Sequence, residues 1–350
     1  MNNWQQFFDA QGSDIRRPLT VTDLTDGFVA PISDLGLIAL EGDDAASFLH
    51  RQVTNDVEHL GQAEARLAGY CSPKGRLMAT FLMWRQAGSI FLQLPRAIAA
   101  PLQKRLQMFV MRSKVTLSDA SEQQLILGIG GLRAGVVLAT WFDTLPDAPY
   151  GKLDHPLGTL MRVADACGAA RYQWLMSAET AQSVWPALTA KLTGECTDTL
   201  AAGDDAAWQL SQVHAGVPQI DVITQEKFVP QMVNFELLGG VNFKKGCYPG
   251  QEIVARSQYL GKLKRRTTLV TIADGAAKAG DELFAASDPA QPCGMIVNAA
   301  PNGAGGVDAL VEIKLTAIAE GSVTVGSNVD GGAAPVHFLP MPYLLDPLDL

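Results

Sequence analysis

The sequence lacks several features that would assign a protein to a broad class at once. No stretch approaches the run of about 18 apolar residues that a membrane-spanning helix requires. The first residues, from Met1 to Asp9, have neither the basic start nor the apolar core of a signal peptide. Basic residues are in the minority, with 27 Lys and Arg against 36 Asp and Glu, which argues against a general nucleic-acid coat. We therefore expect a soluble, cytoplasmic protein without a membrane partner.

Metal-binding and disulfide-forming side chains are few and scattered. No two of the five cysteines share a C-x-x-C spacing, and the five histidines include no H-E-x-x-H pattern. An odd, sparse set of cysteines is typical of a reducing compartment rather than of a disulfide framework. The sequence therefore predicts no metal site within one local segment. The cysteines are Cys71, Cys167, Cys196, Cys247 and Cys293.

What is present is a long globular chain of mixed secondary structure. Its 350 residues, 47% of them hydrophobic and 18% charged, need more than one core. The pattern predicts an irregular polar arm over 1–30, an α+β region over 31–265 and a small antiparallel β-barrel over 266–350. Within the α+β region we predict a hairpin over 77–94 and a helix that starts at Pro101. The apolar stripe expected on that helix is Leu102, Leu106, Phe109 and Val110.

The glycine-rich stretch from Gly128 to Gly135 follows a predicted strand and precedes a helix. It resembles a dinucleotide-binding turn, but Arg133 stands where G-x-G-x-x-G requires its third glycine. The pattern favours a turn that packs a strand against a helix.

Two segments carry stronger chemical signals. The turn from Cys71 to Arg76 brings Lys74 and Arg76 to a Pro-Gly bend, which alone indicates a solvated hairpin. The segment from Phe243 to Arg256 places Cys247 after two lysines and before a predicted helix start. A helix N-terminus and ammonium groups both favour a thiolate, so Cys247 is a candidate reactive or ligating thiol. The alternative is a small buried hydrophobe, the usual role of a lone cysteine.

The charge around Cys247 contrasts with the acidic chain. Residues 244–266 contain seven basic side chains and a single acidic one, Glu252. This segment is either a lysine-guarded strand edge or a contact for an anionic ligand or RNA. The basic residues are Lys244, Lys245, Arg256, Lys262, Lys264, Arg265 and Arg266.

Trp208 lies about 160° from Leu210 on a helical wheel, nearly opposite the apolar stripe of its helix. Either this helix packs on both sides, or the indole faces a cleft in which it stacks on a heteroaromatic ligand. The sequence leaves both alternatives open.

Several of these segments together resemble the YgfZ family, folate-binding relatives of the glycine-cleavage T protein, an aminomethyltransferase. The resemblance is most specific in Phe228-Val229-Pro230-Gln231, in Leu238-Gly239-Gly240-Val241 and in Lys244-Lys245-Gly246-Cys247-Tyr248-Pro249-Gly250-Gln251-Glu252. Gln52-Val53-Thr54-Asn55-Asp56, Cys71 to Arg76 and Gly216-Val217-Pro218 support it.

The resemblance implies a three-domain, T-protein-like fold around a central cavity that holds tetrahydrofolate or another folate. It implies a role in maintaining iron–sulfur enzymes, including radical enzymes that thiolate tRNA, as client proteins. It places the functional cysteine at Cys247, next to Lys245, with a transient contact to an iron–sulfur cluster that a partner would share, since one thiolate cannot hold a cluster alone. The implied folate contacts are Trp208, Leu35, Lys244, Arg256, Tyr248 and Glu252.

Two departures from the family pattern bear on function. Leu35 stands where a second folate-stacking tryptophan is expected. Ala79 and Thr80 stand where T proteins carry an acidic pair, so the carboxylate that would engage the folate is missing. The leading hypothesis is therefore a folate-binding accessory protein for iron–sulfur enzymes. A folate-dependent one-carbon transferase or demethylase is the alternative, and a direct tRNA-binding module ranks below both.

Overall fold

The computed structural model describes residues 4, 6–7, 16–194, 198–260, 263–326 and 333–345. The chain divides into two compact units, each built from several segments. Unit 1 consists of Met1–Ala45, His59–Arg66 and Leu82–Ser211, and unit 2 of Ala46–Glu58, Leu67–Phe81 and Gln212–Leu350. No described helix is long and apolar enough to cross a membrane. The predicted domain boundaries at residues 30 and 265 stay predictions.

Helices and strands are interspersed along the described part of the chain. The helices are α1 (Val21–Asp26), α2 (Ala45–His50), α3 (Arg96–Gln107), α4 (Ala134–Leu138), α5 (Ala178–Leu192), α6 (Asp205–His214), α7 (Gln251–Tyr259) and α8 (Leu315–Glu320). The strands are β1 (Phe28–Pro31), β2 (Leu35–Glu41), β3 (Ala65–Cys71), β4 (Leu77–Gln86), β5 (Ser89–Pro95), β6 (Thr116–Asp119), β7 (Leu125–Gly130), β8 (Lys152–His155), β9 (Gly158–Ala166), β10 (Ala169–Met176), β11 (Ala201–Ala202), β12 (Arg265–Ile272), β13 (Glu282–Ala285), β14 (Asp288–Pro301), β15 (Val307–Lys314), β16 (Val323–Val325) and β17 (Ala334–Leu339).

Unit 1 is centred on a six-stranded sheet with the order β11-β1-β7-β10-β9-β8. Only the short β11–β1 pair is parallel among the described pairings of this sheet. One face of the sheet carries Leu127, Leu160 and Trp174 into a core shared with Val184 and Leu188 of α5. Alternation along β10 therefore directs Arg171 and Gln173 to the opposite face.

Unit 1 also contains the antiparallel pairs that β5 forms with β2 and with the second half of β4, and the pair of β2 with β6. The predicted hairpin is thereby confirmed. In unit 2, β3 lies next to β4. The turn between them is closed by hydrogen bonds from Ser72 N to Arg76 O (2.8 Å) and from Gly75 N to Ser72 O (2.9 Å).

The C-terminal part of unit 2 is a closed antiparallel barrel with the order β12-β15-β14-β13-β16-β17. Its interior is filled by small and branched side chains such as Val270, Ile296 and Val311. Register shifts in β14, including one between Ile296 and Asn298, are the irregularities that let a short barrel curve closed. The predicted α+β class and C-terminal barrel are confirmed.

The predicted irregularity of residues 1–30 is wrong for its second half. Thr20 caps α1 in a reciprocal capping box with Asp23, and β1 then pairs with β7 inside the main sheet of unit 1. The sequence did not reveal this helix and strand, because the segment is polar and its buried side chains, such as Leu24 and Phe28, are too few to form a clear periodic pattern.

The helix predicted to start at Pro101 starts at Arg96, with Pro101 inside it. Burial of Ile98 and Leu102 outweighs the backbone hydrogen bond that proline cannot donate. The helix ends at Gln107, so the predicted stripe is correct for Leu102 and Leu106, but Phe109 lies beyond the helix and is 46% exposed.

Candidate functional site

Cys247 lies in an exposed loop of unit 2, which we call the thiol loop (residues 242–250). The loop leads directly into α7, so the helix start predicted after Pro249-Gly250 is confirmed. Gly250 has a φ of +81°, and a Cβ there would come within 2.4 Å of the carbonyl oxygen of Ser72. Glycine is therefore required at this bend, which fixes where the cysteine stands relative to the helix.

The ammonium group of Lys245 is held by main-chain oxygens. Nζ donates hydrogen bonds to the carbonyl oxygens of His50 (2.6 Å), Val53 (3.0 Å) and Gly246 (3.2 Å). It also lies 4.8 Å from the ring centroid of Tyr248, a cation–π distance. All three protons of the ammonium group thus have an acceptor.

This enclosure changes the acidity of Lys245. Burial lowers the pKa of the amine to about 8, although the nearby charges of Asp56, Cys247 and Glu58 act in the opposite direction. A lysine of this pKa exchanges its proton near neutral pH, which an exposed lysine does not.

The other described cysteines stand in different surroundings. Cys71 and Cys293 are buried, and burial raises the pKa of Cys71 to about 12 and also raises that of Cys293. Both are therefore held as inert thiols. Cys167 is partly exposed, Cys247 is exposed, and Cys196 lies outside the described residues.

The turn from Cys71 to Arg76 packs against the same loop. A Cβ on Gly250 would lie 2.7 Å from Cα of Gly75, and one on Gly75 would lie 2.8 Å from Cβ of Ile253 in α7. Arg76 donates from Nη1 to the carbonyl oxygens of Lys227 and Glu226. Two segments that the sequence analysis treated separately are thus neighbours within unit 2.

The segment from Gln52 to Asp56 forms hydrogen bonds with the chain at the start of the thiol loop and just before it. Thr54 donates from Oγ1 to Gly240 O (2.6 Å), and Asn55 donates from Nδ2 to Gly239 O (2.7 Å). Asn242 N in turn donates to Thr54 O (2.9 Å). These bonds fix the chain just before Lys245.

The predicted basic segment is less positive than its composition indicates. Arg265 pairs with Glu312, and the buried Arg266 pairs with Glu236. Lys262 lies outside the described residues. Lys244, Arg256 and Lys264 are exposed, as is the acidic Glu252 at the start of α7.

In unit 1, Trp208 of α6 is buried, with 3% of its surface exposed. Its indole lies on Gly128 of β7, where a Cβ would come within 2.2 Å of Cε3. The Cζ atom of Arg171, a residue of β10, lies 4.9 Å from the centre of the Trp208 indole. The helix therefore packs on both of its sides, and the glycine-rich stretch makes room for an aromatic ring. Leu35, at the start of β2, is also buried, at 7% exposure.

Sequence reasoning missed two polar residues beside Trp208. Arg171 is fully buried, and it donates from Nε to Ala164 O (2.9 Å) and from Nη1 to Ser211 Oγ (2.8 Å). Burial lowers its pKa to about 10. Gln173 faces Gly128 across the sheet, and its buried Oε1 accepts no hydrogen bond within the described part of the chain. The sequence does contain a signal for them, because Arg171 and Gln173 occupy alternate positions of an otherwise apolar strand and therefore lie on the same face of the sheet. We call Arg171, Gln173 and Trp208 the polar sheet face.

Ala79 and Thr80, which replace the acidic pair of T proteins, are both buried in unit 2. Thr80 donates from Oγ1 to Pro218 O (3.2 Å) and accepts from Ile220 N (3.0 Å). Its hydroxyl thereby anchors the segment that follows α6.

One cavity of the described residues lies apart from the features above. A cavity of about 310 Å³ in unit 1 is lined by residues that include Asp23, Asp26, Arg133 and the end of α5, and none of its lining residues is a predicted site residue. No group of three or more His, Cys, Asp or Glu side chains among the described residues is arranged to hold a metal ion.

The chain is similar over most of its length to several bacterial proteins. It is 32% identical over 250 residues to the tRNA-modifying protein YgfZ of Cronobacter sakazakii, which corresponds to 71% of this chain and 70% of that protein. It is 32% identical over 272 residues to the protein of the same name from Klebsiella pneumoniae, and 31% identical over 269 residues to that from Escherichia coli, with 77% of each chain covered. No profile of a protein family matches the chain.

The fold is similar to that of the glycine cleavage system aminomethyltransferase T from Bartonella henselae. The TM-score is 0.71 at 16% sequence identity, over 93% of this chain and 88% of the other. The predicted T-protein-like fold is thereby confirmed.

Proposed function

Because the chain belongs to the YgfZ family, we propose that it is a cytoplasmic folate-binding accessory protein that supports iron–sulfur enzymes, including enzymes that modify tRNA, through the thiolate of Cys247. The observation that carries this proposal is the exposed cysteine two residues after a lysine whose amine is held by three carbonyl oxygens. The names of the relatives support the connection to tRNA modification.

The surroundings of Cys247 favour a reactive thiol over a structural one. The side chain is exposed, it stands just before the N-terminus of α7, and the Lys245 ammonium is one of the charges close to it. An exposed thiol beside a basic group can be reached by a partner, whereas a buried one cannot. We propose that the Cys247 thiolate attacks one sulfur of a partner's disulfide, which forms a mixed disulfide and releases the partner's other sulfur as a thiolate. Any contact with a cluster is transient and shared.

Folate binding is supported by the polar sheet face of unit 1. A pterin ring offers a flat surface and several N–H donors at its edge. The Oε1 atom of Gln173 is a buried acceptor without a donor in the described residues, and on the same strand the Arg171 guanidinium lies over the Trp208 indole. Buried polar atoms of this kind are normally satisfied, so a ligand N–H is a fitting partner.

Two of the predicted folate contacts are buried, while other apolar side chains of unit 1 are exposed. Trp208 and Leu35 are almost completely buried, whereas Met108, Phe109 and Met111 of unit 1 are exposed at 66%, 46% and 90%. Exposed apolar side chains of this size are typical of a contact surface. The folate contacts of Lys244, Arg256, Tyr248 and Glu252 stay predictions.

The alternative function, transfer of a one-carbon group from folate, is favoured by the fold shared with an aminomethyltransferase. The absence of the acidic pair at Ala79 and Thr80 weighs against it. Formation of formaldehyde or of methylene-tetrahydrofolate by the purified protein would establish it. Direct tRNA binding is the weaker alternative, because Arg265 and Arg266 are paired with acids. It requires an affinity for tRNA that falls steeply with salt.

The proposed function is tested by replacing Cys247 with Ser in cells that depend on this gene. We expect the loss of sulfur-containing nucleosides from tRNA, measured by mass spectrometry, with normal folding of the purified variant. Cys167→Ser is the matched control, because Cys167 is partly exposed and lies in unit 1. Wild-type amounts of thiolated tRNA in the Cys247→Ser strain would refute the proposal.

A further inference from the structure

One side of α7 exposes large apolar side chains. Ile253 is 38% exposed, Tyr259 is 68% exposed and Leu260, directly after the helix, is 82% exposed. At about 100° per residue, these positions are turned by about 100° or more from Val254, the buried residue of the helix. Exposed apolar side chains that are grouped in this way are typical of a surface that another molecule covers.

The thiol loop runs beside this helix and keeps Cys247 close to it. Phe243, at the start of the loop, has its ring centroid 5.8 Å from that of Tyr259 at the end of α7, and Gly250, at the end of the loop, caps the start of the helix. The loop therefore spans the length of the helix, which is about 13 Å. Cys247 stands three residues before Gly250, so its Cα lies within about 11 Å of the helix start. The exposed thiol and the apolar side of α7 thus fit within one protein interface of about 800 Å² per partner.

Unpaired basic side chains lie around these apolar residues. Arg256 follows Ile253 by three positions, which places both on the same side of α7. Lys244 is in the thiol loop, and Lys74 belongs to the turn that packs against Ile253. All three bases are exposed and have no ion-pair partner among the described residues, and Glu252 is the one acidic residue of the loop and helix. The surface is therefore positive, although the chain as a whole is acidic.

This combination of apolar and positive side chains narrows what can cover the surface. A second copy of the chain, bound through the same patch, would set one positive surface against another. A folate needs a concave pocket, which the exposed side of a helix does not provide. A single-stranded RNA stacks its bases on aromatic rings and leaves Ile253 and Leu260 without a matching surface. A protein segment with apolar and acidic side chains matches both features.

We propose that the exposed side of α7, together with Phe243 and Lys244, is the docking surface for the protein whose disulfide Cys247 attacks. The partner presents an apolar segment flanked by acidic side chains. This inference rests on the proposed function, because it concerns the partner of the same thiol. Docking adds no chemical step to the exchange. It holds the partner's disulfide close to the thiolate, so that the reaction becomes effectively intramolecular.

The test is the double variant Tyr259→Ser, Leu260→Ser in cells that depend on this gene. We expect the amount of sulfur-containing nucleosides in tRNA, measured by mass spectrometry, to fall at least fivefold, on the order of the loss that truncation of central interface residues causes. The purified full-length variant should fold normally, and iodoacetamide should alkylate its Cys247 at the wild-type rate, because this small reagent needs no docking. Val136→Ser is the matched control, since Val136 is 57% exposed in α4 of unit 1.

A charge reversal tests the acidic character of the partner. Lys74→Glu should lower the amount of thiolated tRNA about threefold, because it repels an acidic segment, whereas Lys74→Arg keeps the charge and should match wild type. Equal amounts in the Lys74→Glu and Lys74→Arg strains would overturn the acidic partner.

Three results with the double variant would overturn the docking surface itself. One is a wild-type amount of thiolated tRNA. Another is slower alkylation of Cys247, because Tyr259 and Leu260 would then act on the thiol and not on a partner. The third is an affinity for tRNA that purified wild type has at moderate salt and the variant lacks, which would assign the surface to RNA. Failure of the proposed function is seen separately, as wild-type thiolation in the Cys247→Ser strain.

Discussion

The thiol loop and the polar sheet face contain chemically unusual side chains for different structural reasons. In unit 2, Lys245 and Cys247 are close in sequence, and main-chain carbonyl oxygens hold the lysine. In unit 1, Arg171, Gln173 and Trp208 come from a strand and a helix and meet on the glycines of a third element. A local loop can present a reactive group with little packing, whereas the buried face depends on the core around it.

The two regions also differ in how polar atoms are satisfied. Every proton of the Lys245 ammonium has an acceptor within its own unit. On the sheet face, the Gln173 Oε1 is buried without a donor in the described residues. An unsatisfied buried atom costs about 1 to 3 kcal/mol of stability. The Lys245 ammonium is therefore satisfied within its own unit, whereas the Gln173 Oε1 keeps an unused acceptor.

The largest effect is expected from Gly128→Ala, which tests whether the sheet face depends on packing. The added Cβ would meet the indole of Trp208 at 2.2 Å, so the helix or strand must move. We expect the free energy of unfolding to fall by about 3 kcal/mol, measured by urea denaturation. Gly135→Ala is the control, since a Cβ there meets nothing closer than 3.7 Å. Equal stability of the two variants would show that the indole is not held by this glycine.

A smaller effect is expected from Gln173→Leu, which tests whether the sheet face binds a ligand or only contributes to packing. Gln173→Leu removes the unsatisfied oxygen and keeps the volume, so the ligand-free protein should be as stable as wild type or slightly more so. Affinity for tetrahydrofolate, measured by titration calorimetry, should fall about tenfold, since the acceptor for a ligand N–H is lost. A variant that loses stability and keeps its folate affinity would assign Gln173 a structural role.

The same contrast explains what the sequence could predict. The hairpin, the helix that carries Trp208, the start of α7 and the barrel followed from local patterns. So did Cys247 with Lys245, because those residues are neighbours in sequence. The start of α3 was misplaced, since tertiary burial of Ile98 and Leu102 overrides the signal from Pro101. Arg171 and Gln173 were missed because their role depends on which strand faces Gly128 and which helix covers it.

The carbonyl oxygens that hold Lys245 were equally invisible in the sequence. Main-chain groups carry no residue signature, and two of the three oxygens come from residues about 190 positions away.

The smallest effect is expected from Lys245→Met, which tests whether burial of the Lys245 ammonium lowers the free energy of unfolding. The pKa of Lys245 is lowered from 10.5 to about 8 by burial, so between these values the unfolded chain binds more protons than the folded one. Stability contributed by this residue must therefore rise with pH from about 8 to 10.5. Because the side chain is only partly buried, we expect on the order of 1 kcal/mol, less than the full shift would imply. The difference in unfolding free energy between wild type and Lys245→Met should grow by this amount across the window. Lys244→Met, at the exposed neighbour, is the control for the loss of a lysine from this loop. A difference for Lys245→Met that does not change with pH would mean that the loop does not bury the Lys245 charge.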